Sequence, residues 1–569
     1  MVIYKNEKSY PIPDLDLLTI CFDSEHSSAL PESILHCSAE KPSISLNKLG
    51  LQRLLEEFAW GIRKRFNIGA NGRNKDVVCI FSSGQPAYPA ATFGVIAAGG
   101  VASLVSPSST SHEVARQVTS GLAKVLICSE DFVETARKAL KEIEYPVTLC
   151  VLRTEPDWGL RIDGDESDAG ELRGSLASER LTWERITDTQ ELKDSLIMLL
   201  YSSGTTGVPK GVCLSHYNFV AELIILSTPA RAFLAKAVAA GAPLPPPNRA
   251  LAHLPAAHIA GVMSYIIAPP FSGGTVYWMA KYTWPLFLRL AGQCRITTIY
   301  TVPSIYLRMA KDPAVKDQFR WLYRASAGAA PIDGALQVAA GKKVGSGHVS
   351  QTWGLSETTG AVTAPTPGGE QDVSGSISPV VPNVELRFVD GSDQDVPEGQ
   401  PGEILVRGPI VTKGYFNNPE ATKAAFRNGW FATGDIGVVR EGRFYIVDRL
   451  KELIKYKGLQ VAPAEIEGLL ITHPHILEAA VVGIPEAEAA GDTVAHSEVP
   501  RAYVVRVPGT AISADEVKNF VKEKLAQYKQ LRGGVVFVDE LPKNALNKVL
   551  RRELRDLAVK EVRTERARL

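Results

Sequence analysis

The chain carries no net charge: 62 Lys and Arg balance 62 Asp and Glu over 569 residues. Such a balance offers no field to draw a nucleic-acid backbone or an anionic lipid surface, so neither is expected as a partner. Cysteine is scarce and scattered, seven residues with no CxxC pair. That argues against a disulfide framework and against a zinc site. Long apolar runs are missing too. The longest, around Ala90 to Val105, is interrupted by Gly94, Gly99 and Gly100. It reads as a core helix and strand, and no membrane span is expected. The opening MVIYKNEKSY has no apolar centre, so no targeting peptide is expected there. Internal repeats and a GxxxxGK[ST] phosphate loop are also absent.

What is present is ordinary in composition, 45% hydrophobic and 22% charged, and too long for a single core, so two or more domains are expected. Helical spacing of Leu49, Leu51, Leu54, Phe58 and Ile62 predicts an amphipathic helix over 46–66. Buried-strand runs follow at VVCIF, VASLV, VLICS and VTLCVL, with a small-residue helix over 87–98. Strand and helix in this alternation predict a parallel sheet with helices on both faces. The polar stretch 153–194 reads as a surface excursion. So does 227–249, which holds the stiff PLPPPN. The alternation resumes at ALAHLP, TVYWMA, ITTIYTVP and WLYRASAG. Shorter strands (VELRFV, GEILVRG, RFYIVD) predict a β-barrel-like subdomain. The end, with a helix over 514–525 and a basic helix from Lys548, reads as a small α+β domain.

One stretch organises the rest. YSSGTTGVPKGV, Tyr201 to Val212, follows the apolar strand LIMLLY. Ser202, Ser203, Gly204, Thr205, Thr206 and Gly207 offer hydroxyls and close-approaching backbone N–H groups, a nest suited to phosphate. Lys210 adds a positive charge after Pro209.

This segment resembles the signature loop of the adenylate-forming (ANL) superfamily: acyl- and aryl-CoA synthetases, adenylation domains of peptide synthetases and beetle luciferases. The resemblance runs from about residue 40 to 555. It is nearest to the 4-coumarate-CoA ligase-like branch, through IKYKGLQVAPAEIE. It implies an α/β fold: a large N-terminal adenylation domain over 1–447, with parallel α/β sheets and the barrel-like subdomain, and a small mobile C-terminal lid over 448–569.

The resemblance also assigns residues. In QTWGLSETTG, Gln351, Thr352 and Trp353 would bind ATP and AMP, with Trp353, standing where tyrosine is usual, stacking on the adenine. Ser356 would bond the α-phosphate and Glu357 would hold Mg2+, a hard cation that favours oxygen ligands. The same two residues also read as a helix cap. Ala329, in ASAGAAP, would flank adenine and acyl group. Asp435 and Arg449 would take the ribose, with Lys451 and Gln460 on the adenylate side and Asp448 as hinge. Lys457 and Gly458 would line the coenzyme A tunnel, and Lys281 would meet its nucleotide end. His258, Ala260 and Gly261, in LPAAHIAG, would line the acyl pocket, a small residue at 260 leaving room. Lys548 would be the mobile catalytic lysine, preceded by Asn547 where the family carries glycine.

The activity implied is ATP-dependent ligation of an aromatic or medium-to-long-chain carboxylic acid to coenzyme A, through an acyl-adenylate. Loading of a carrier protein and luciferase-like oxygenation are the alternatives. Ala567-Arg568-Leu569 resembles a peroxisomal address read by an import receptor. The other reading of that tail is a charged helix ending in leucine, which leaves a cytoplasmic enzyme.

Overall fold

The computed structural model describes residues 1–167, 170–174, 178–202, 209–456, 459–485, 498–543 and 549–566. Two compact units emerge. The larger comprises Ile3–Leu386 with Val406–Phe431, and the smaller Met1–Val2, Arg387–Leu405 and Ala432–Leu569.

The larger unit holds two seven-stranded sheets. The first runs Lys210–Ser215, Leu196–Ser202, Val101–Val105, Val77–Phe81, Val125–Ser129, Thr148–Leu152, Leu160–Ile162. Its five central strands are parallel, and each edge strand is antiparallel to its neighbour. Three of the central strands, starting at Val77, Val101 and Val125, are buried at every position. Strands covered on both faces read as unbroken apolar runs, which is why they were visible in the sequence. The helix Lys48–Phe66 packs on Tyr88–Ala97, and Gly94 permits the approach: a Cβ there would stand 3.0 Å from Phe58 Cβ. The second sheet runs Ser350–Gln351, Arg324–Ala327, Thr298–Thr301, Arg249–Ala252, Thr275–Trp278, Ile34–Ser38, Ser45–Asn47.

Two expectations need correction. The polar stretch 153–194 is not a mere surface excursion: Leu160, Leu172, Trp183 and Ile186 are buried, and Leu160–Ile162 joins the first sheet as its edge. Four isolated apolar residues carry no periodicity, so the pattern hid them. Nor is 227–249 a loop throughout. A helix spans His216–Ala239 with Pro229 inside it. Its alanine-rich second half propagates the helix beyond the hydrogen bond that Pro229 cannot donate.

In the smaller unit residues 435–440 of the strand Trp430–Arg440 pair antiparallel with Arg443–Arg449. A three-stranded sheet follows: Ile476–Pro485, Glu498–Arg506 and Val535–Phe537. Ile466, Leu470, Val517, Val521, Leu554 and Ala558, from the helices Pro463–Ile471, Ala514–Lys524 and Arg551–Arg566, close its core. This is the expected small α+β domain.

Candidate active site

In the larger unit the organising stretch sits at the end of a hairpin. Leu196–Ser202 and Lys210–Ser215 pair so that Ser202 lies opposite Lys210. The Ser202 hydroxyl and the Lys210 charge therefore share one end of the sheet. The residues between, including Ser203, Gly204, Thr205 and Thr206, lie outside the described residues.

Glu357 comes to the same place. It stands in a short helical turn, Ser356–Thr358, after the strand Trp353–Leu355. Its Oε1 accepts from Ser202 Oγ at 2.9 Å and from the Tyr415 hydroxyl at 3.1 Å. Its carbonyl accepts from Thr412 N at 2.8 Å, so side chain and backbone are both held. Lys210 Nζ stands 5.0 Å from the centre of the Tyr415 ring, within cation–π range. Burial, and then the Glu357 charge, push the Tyr415 phenol well above its ordinary range. That hydroxyl is therefore fixed as a donor.

Tyr415 is one residue that sequence reasoning missed. It arrives on an irregular segment that bridges to Val212, with Phe416 N bonded to Gly211 O at 2.8 Å. Nothing in GYFNN marks an aromatic that must face a carboxylate some sixty positions earlier.

Around Glu357 the motif is held tightly. Gln351 is buried and its Oε1 accepts from Ile332 N at 3.0 Å. Thr352 N donates to Ala327 O at 2.9 Å. Trp353 is buried, and its backbone N–H donates to Thr363 Oγ1 at 3.0 Å. Ser356 is buried beside it. Gly354 is obligatory, since a Cβ there would stand 1.7 Å from Gly360 O. Ala329 is exposed, with φ 66°. Its neighbour Gly328 leaves room for the Tyr300 hydroxyl, which would lie 1.9 Å from a Cβ.

The gate segment lies in this unit too. His258 caps the short turn Ile259–Gly261, its Nδ1 accepting from Ala260 N at 3.4 Å. Gly261 packs on backbone: a Cβ would stand 2.3 Å from Pro255 O. Lys281 is exposed after Thr275–Trp278, and among the described residues no hydrogen bond or ion pair joins it to the Glu357 cluster.

The smaller unit gathers a second group. Asp435 and Arg449 face each other across paired strands, Arg449 Nε 3.2 Å from Asp435 Oδ1. Asp435 is buried. Asp448 is fixed by Arg449 N at 2.7 Å and Ala464 N at 3.1 Å. Burial raises its carboxyl above the usual range, and the Arg551 charge opposes this. Arg551 pairs with Glu452 at 2.8 Å and with Glu467 at 2.6 Å. Sequence reasoning passed over Arg551, whose partners lie 99 and 84 positions away. Lys451 is exposed. Lys457, Gly458, Lys548, the tail Ala567-Arg568-Leu569 and the side chain of Gln460 lie outside the described residues.

Among the described residues no three His, Cys, Asp or Glu side chains gather as a metal cage. One carboxylate amid hydroxyls fits a different case, a magnesium ion that arrives on nucleotide phosphates and keeps its own waters.

The description "AMP-binding enzyme" matches residues 50–416, and its C-terminal domain matches 465–548. A protein of Emericella nidulans, provisionally named an acyl-coenzyme A synthetase, is 44% identical over 98% of this chain and 98% of its own length. A 4-coumarate–CoA ligase of Oryza sativa is 36% identical over 84% of this chain and 82% of its own. Among solved structures, ATP-bound MatB from Rhodopseudomonas palustris superposes with a TM-score of 0.78. It is 26% identical, covering 95% of this chain and 98% of that one.

Proposed function

We propose, from the premise that the chain belongs to the AMP-binding enzyme family, that it joins a carboxylic acid to coenzyme A using ATP. It is an acid–thiol ligase, with AMP and pyrophosphate as the other products. The observation that supports this reading most is the convergence of Ser202, Tyr415 and Glu357 beside Lys210.

In the first half-reaction a carboxylate oxygen attacks the α-phosphorus of ATP. The bond to the β-phosphate oxygen breaks and pyrophosphate leaves. Positioning and charge stabilisation supply most of the rate in such transfers. Lys210 adds positive charge where the phosphates lie, and Lys548 is the second cation by its family position. Magnesium, held through Glu357, would neutralise charge on the phosphate oxygens. Ser202 and Tyr415 orient that carboxylate. Asp435 offers two acceptor oxygens suited to a ribose diol.

In the second half-reaction the coenzyme A thiol, losing its proton, attacks the acyl carbon. The acyl–phosphate C–O bond breaks and AMP leaves. Lys281 and the Lys457–Gly458 pair serve coenzyme A in this reading, and Asp448 is the hinge between the two half-reactions. The acid is an aromatic or medium-to-long-chain one, with His258, Ala260, Gly261 and Ala329 along its pocket. The same reading sends the enzyme to peroxisomes through Ala567-Arg568-Leu569, which a fluorescent fusion lacking those residues tests.

Incubation with ATP, magnesium, a panel of acids and either coenzyme A or a carrier protein tests the activity. Equal amounts of AMP and acyl-CoA are expected. Acyl transfer to the carrier protein with none to coenzyme A would overturn the choice of acceptor.

A further inference from the structure

Glu222 has no part in the chemistry above. It lies on the buried first half of His216–Ala239 and is 1% exposed. Its Oε1 accepts from Ala361 N at 2.7 Å. Its Oε2 is buried, and among the described residues it has no hydrogen-bond partner. Buried polar atoms are nearly always bonded, and an exception calls for a reason.

Its neighbours give one. Ala361 lies in the strand Gly360–Thr363, four residues after Glu357. Glu222 Oε1 stands 2.6 Å from the point where a Gly360 Cβ would be, and Met263 Cγ stands 3.6 Å from that point. A side chain at 360 would strike the carboxyl. Met263 follows the gate residue Gly261 by two positions, in the helix Val262–Ile267. The Glu222 head is thus bounded by the strand leading from Glu357 and by the helix leading from the gate.

Burial holds the Glu222 carboxyl well above its usual range, opposed by the Ala361 hydrogen bond. Burial thus favours its protonated, neutral form. With Oε1 accepting from Ala361, its proton sits on Oε2.

We propose that Glu222 is a specificity-determining residue whose Oε2 hydroxyl donates a hydrogen bond to an oxygen on the body of the acid. The enzyme then favours acids bearing a hydroxyl, keto or alkoxy oxygen over their hydrocarbon analogues. This rests on the acid-activating reading of the site. A site built to bond an oxygen discriminates strongly against the analogue lacking it, because the buried partner is left unpaired.

The test uses the full chain and matched acids: cinnamic and 4-hydroxycinnamic, 3-phenylpropionic and its 4-hydroxy form, octanoic and 8-hydroxyoctanoic. Pyrophosphate release gives kcat/KM for each. The wild type is expected to favour the oxygen-bearing member of at least one pair by about 10-fold or more. Glu222→Leu should bring that ratio toward one, mainly through KM, and Glu222→Gln, which keeps a donor, should preserve most of it. Wild-type ratios near one in every pair overturn the proposal whether or not the variants fold. So does a Glu222→Leu variant that slows both members equally, the mark of a residue that merely holds the Gly360–Ala361 backbone. Preference for an amine-bearing acid overturns it as well, since that requires an ionised Glu222. Activation of no acid at all refutes the ligase reading itself, an outcome distinct from these.

Discussion

Tyr415→Phe removes one hydroxyl and leaves the rest of the site in place. The Phe ring still lies under Lys210, and the backbone bridge to Val212 does not depend on the side chain. What is lost is one of the two donors to Glu357 Oε1 among the described residues, the other being Ser202 at 2.9 Å. A hydrogen bond to a charged acceptor contributes about 1.5–3 kcal/mol. Ser202 remains and water reaches a half-buried position, so we take the bottom of that range and a little below it, about 1–2 kcal/mol. That corresponds to a fall of roughly 5- to 30-fold in kcat/KM for ATP in the adenylation step. The assay is acid-dependent pyrophosphate exchange with MgATP varied, with thermal unfolding measured in parallel. The melting temperature should stay within about 2 °C of wild type, since the change touches no packed core. Ser202→Ala should show a similar loss, and the double variant a non-additive one, because both donors serve one oxygen. A change in kcat/KM below about twofold, or a loss matched by a fall in stability, would refute the role given to Tyr415.

Two further outcomes follow from the packing. Gly354→Ala should destabilise the larger unit by about 1–3 kcal/mol and slow adenylation, since its Cβ would stand 1.7 Å from Gly360 O; an unchanged melting temperature would contradict this. Arg551→Met leaves the half-buried Glu467 and its neighbours Glu452 and Asp448 without their shared cation. Breaking a buried pair costs about 3–5 kcal/mol, and the partial exposure here points to about 2–4. Burial pushes the Glu467 carboxyl up to about 7 even beside Arg551. Its folded value exceeds the unfolded one, so its contribution is present at low pH and is lost as pH rises from about 4.3 toward 7. Without Arg551 the carboxyl rises further, and the variant's deficit should be larger at pH 8.5 than at pH 6. Chemical unfolding at both values checks this, and an equal deficit would contradict it.

Much of the fold was legible because its strands are buried on both faces. VVCIF, VASLV and VLICS need no partner to be read as strands. The second half of the helix His216–Ala239 was read as a surface excursion because PLPPPN marks that stretch as loop, whereas a helix's continuation is a cooperative property. The edge strand Leu160–Ile162 and the buried Trp183 were hidden for want of periodicity. Glu357 and Lys210 in the larger unit, and Asp435 in the smaller, were picked out as candidates because they sit in long motifs. Tyr415, Arg551 and Glu222 were not, since each acts through a partner far away in sequence: Glu357, Glu467 and Ala361. No local pattern distinguishes such a residue from an ordinary aromatic, a surface arginine or a helix glutamate.

The most direct test of the account is exchange of labelled pyrophosphate into ATP by the purified chain, with magnesium and a broad set of carboxylic acids, before any coenzyme A is added. The account predicts exchange that depends on the acid, is lost in Lys548→Ala, and gives way to acyl-CoA and AMP once coenzyme A is supplied. Exchange with no acid dependence, or none with any acid, would contradict it.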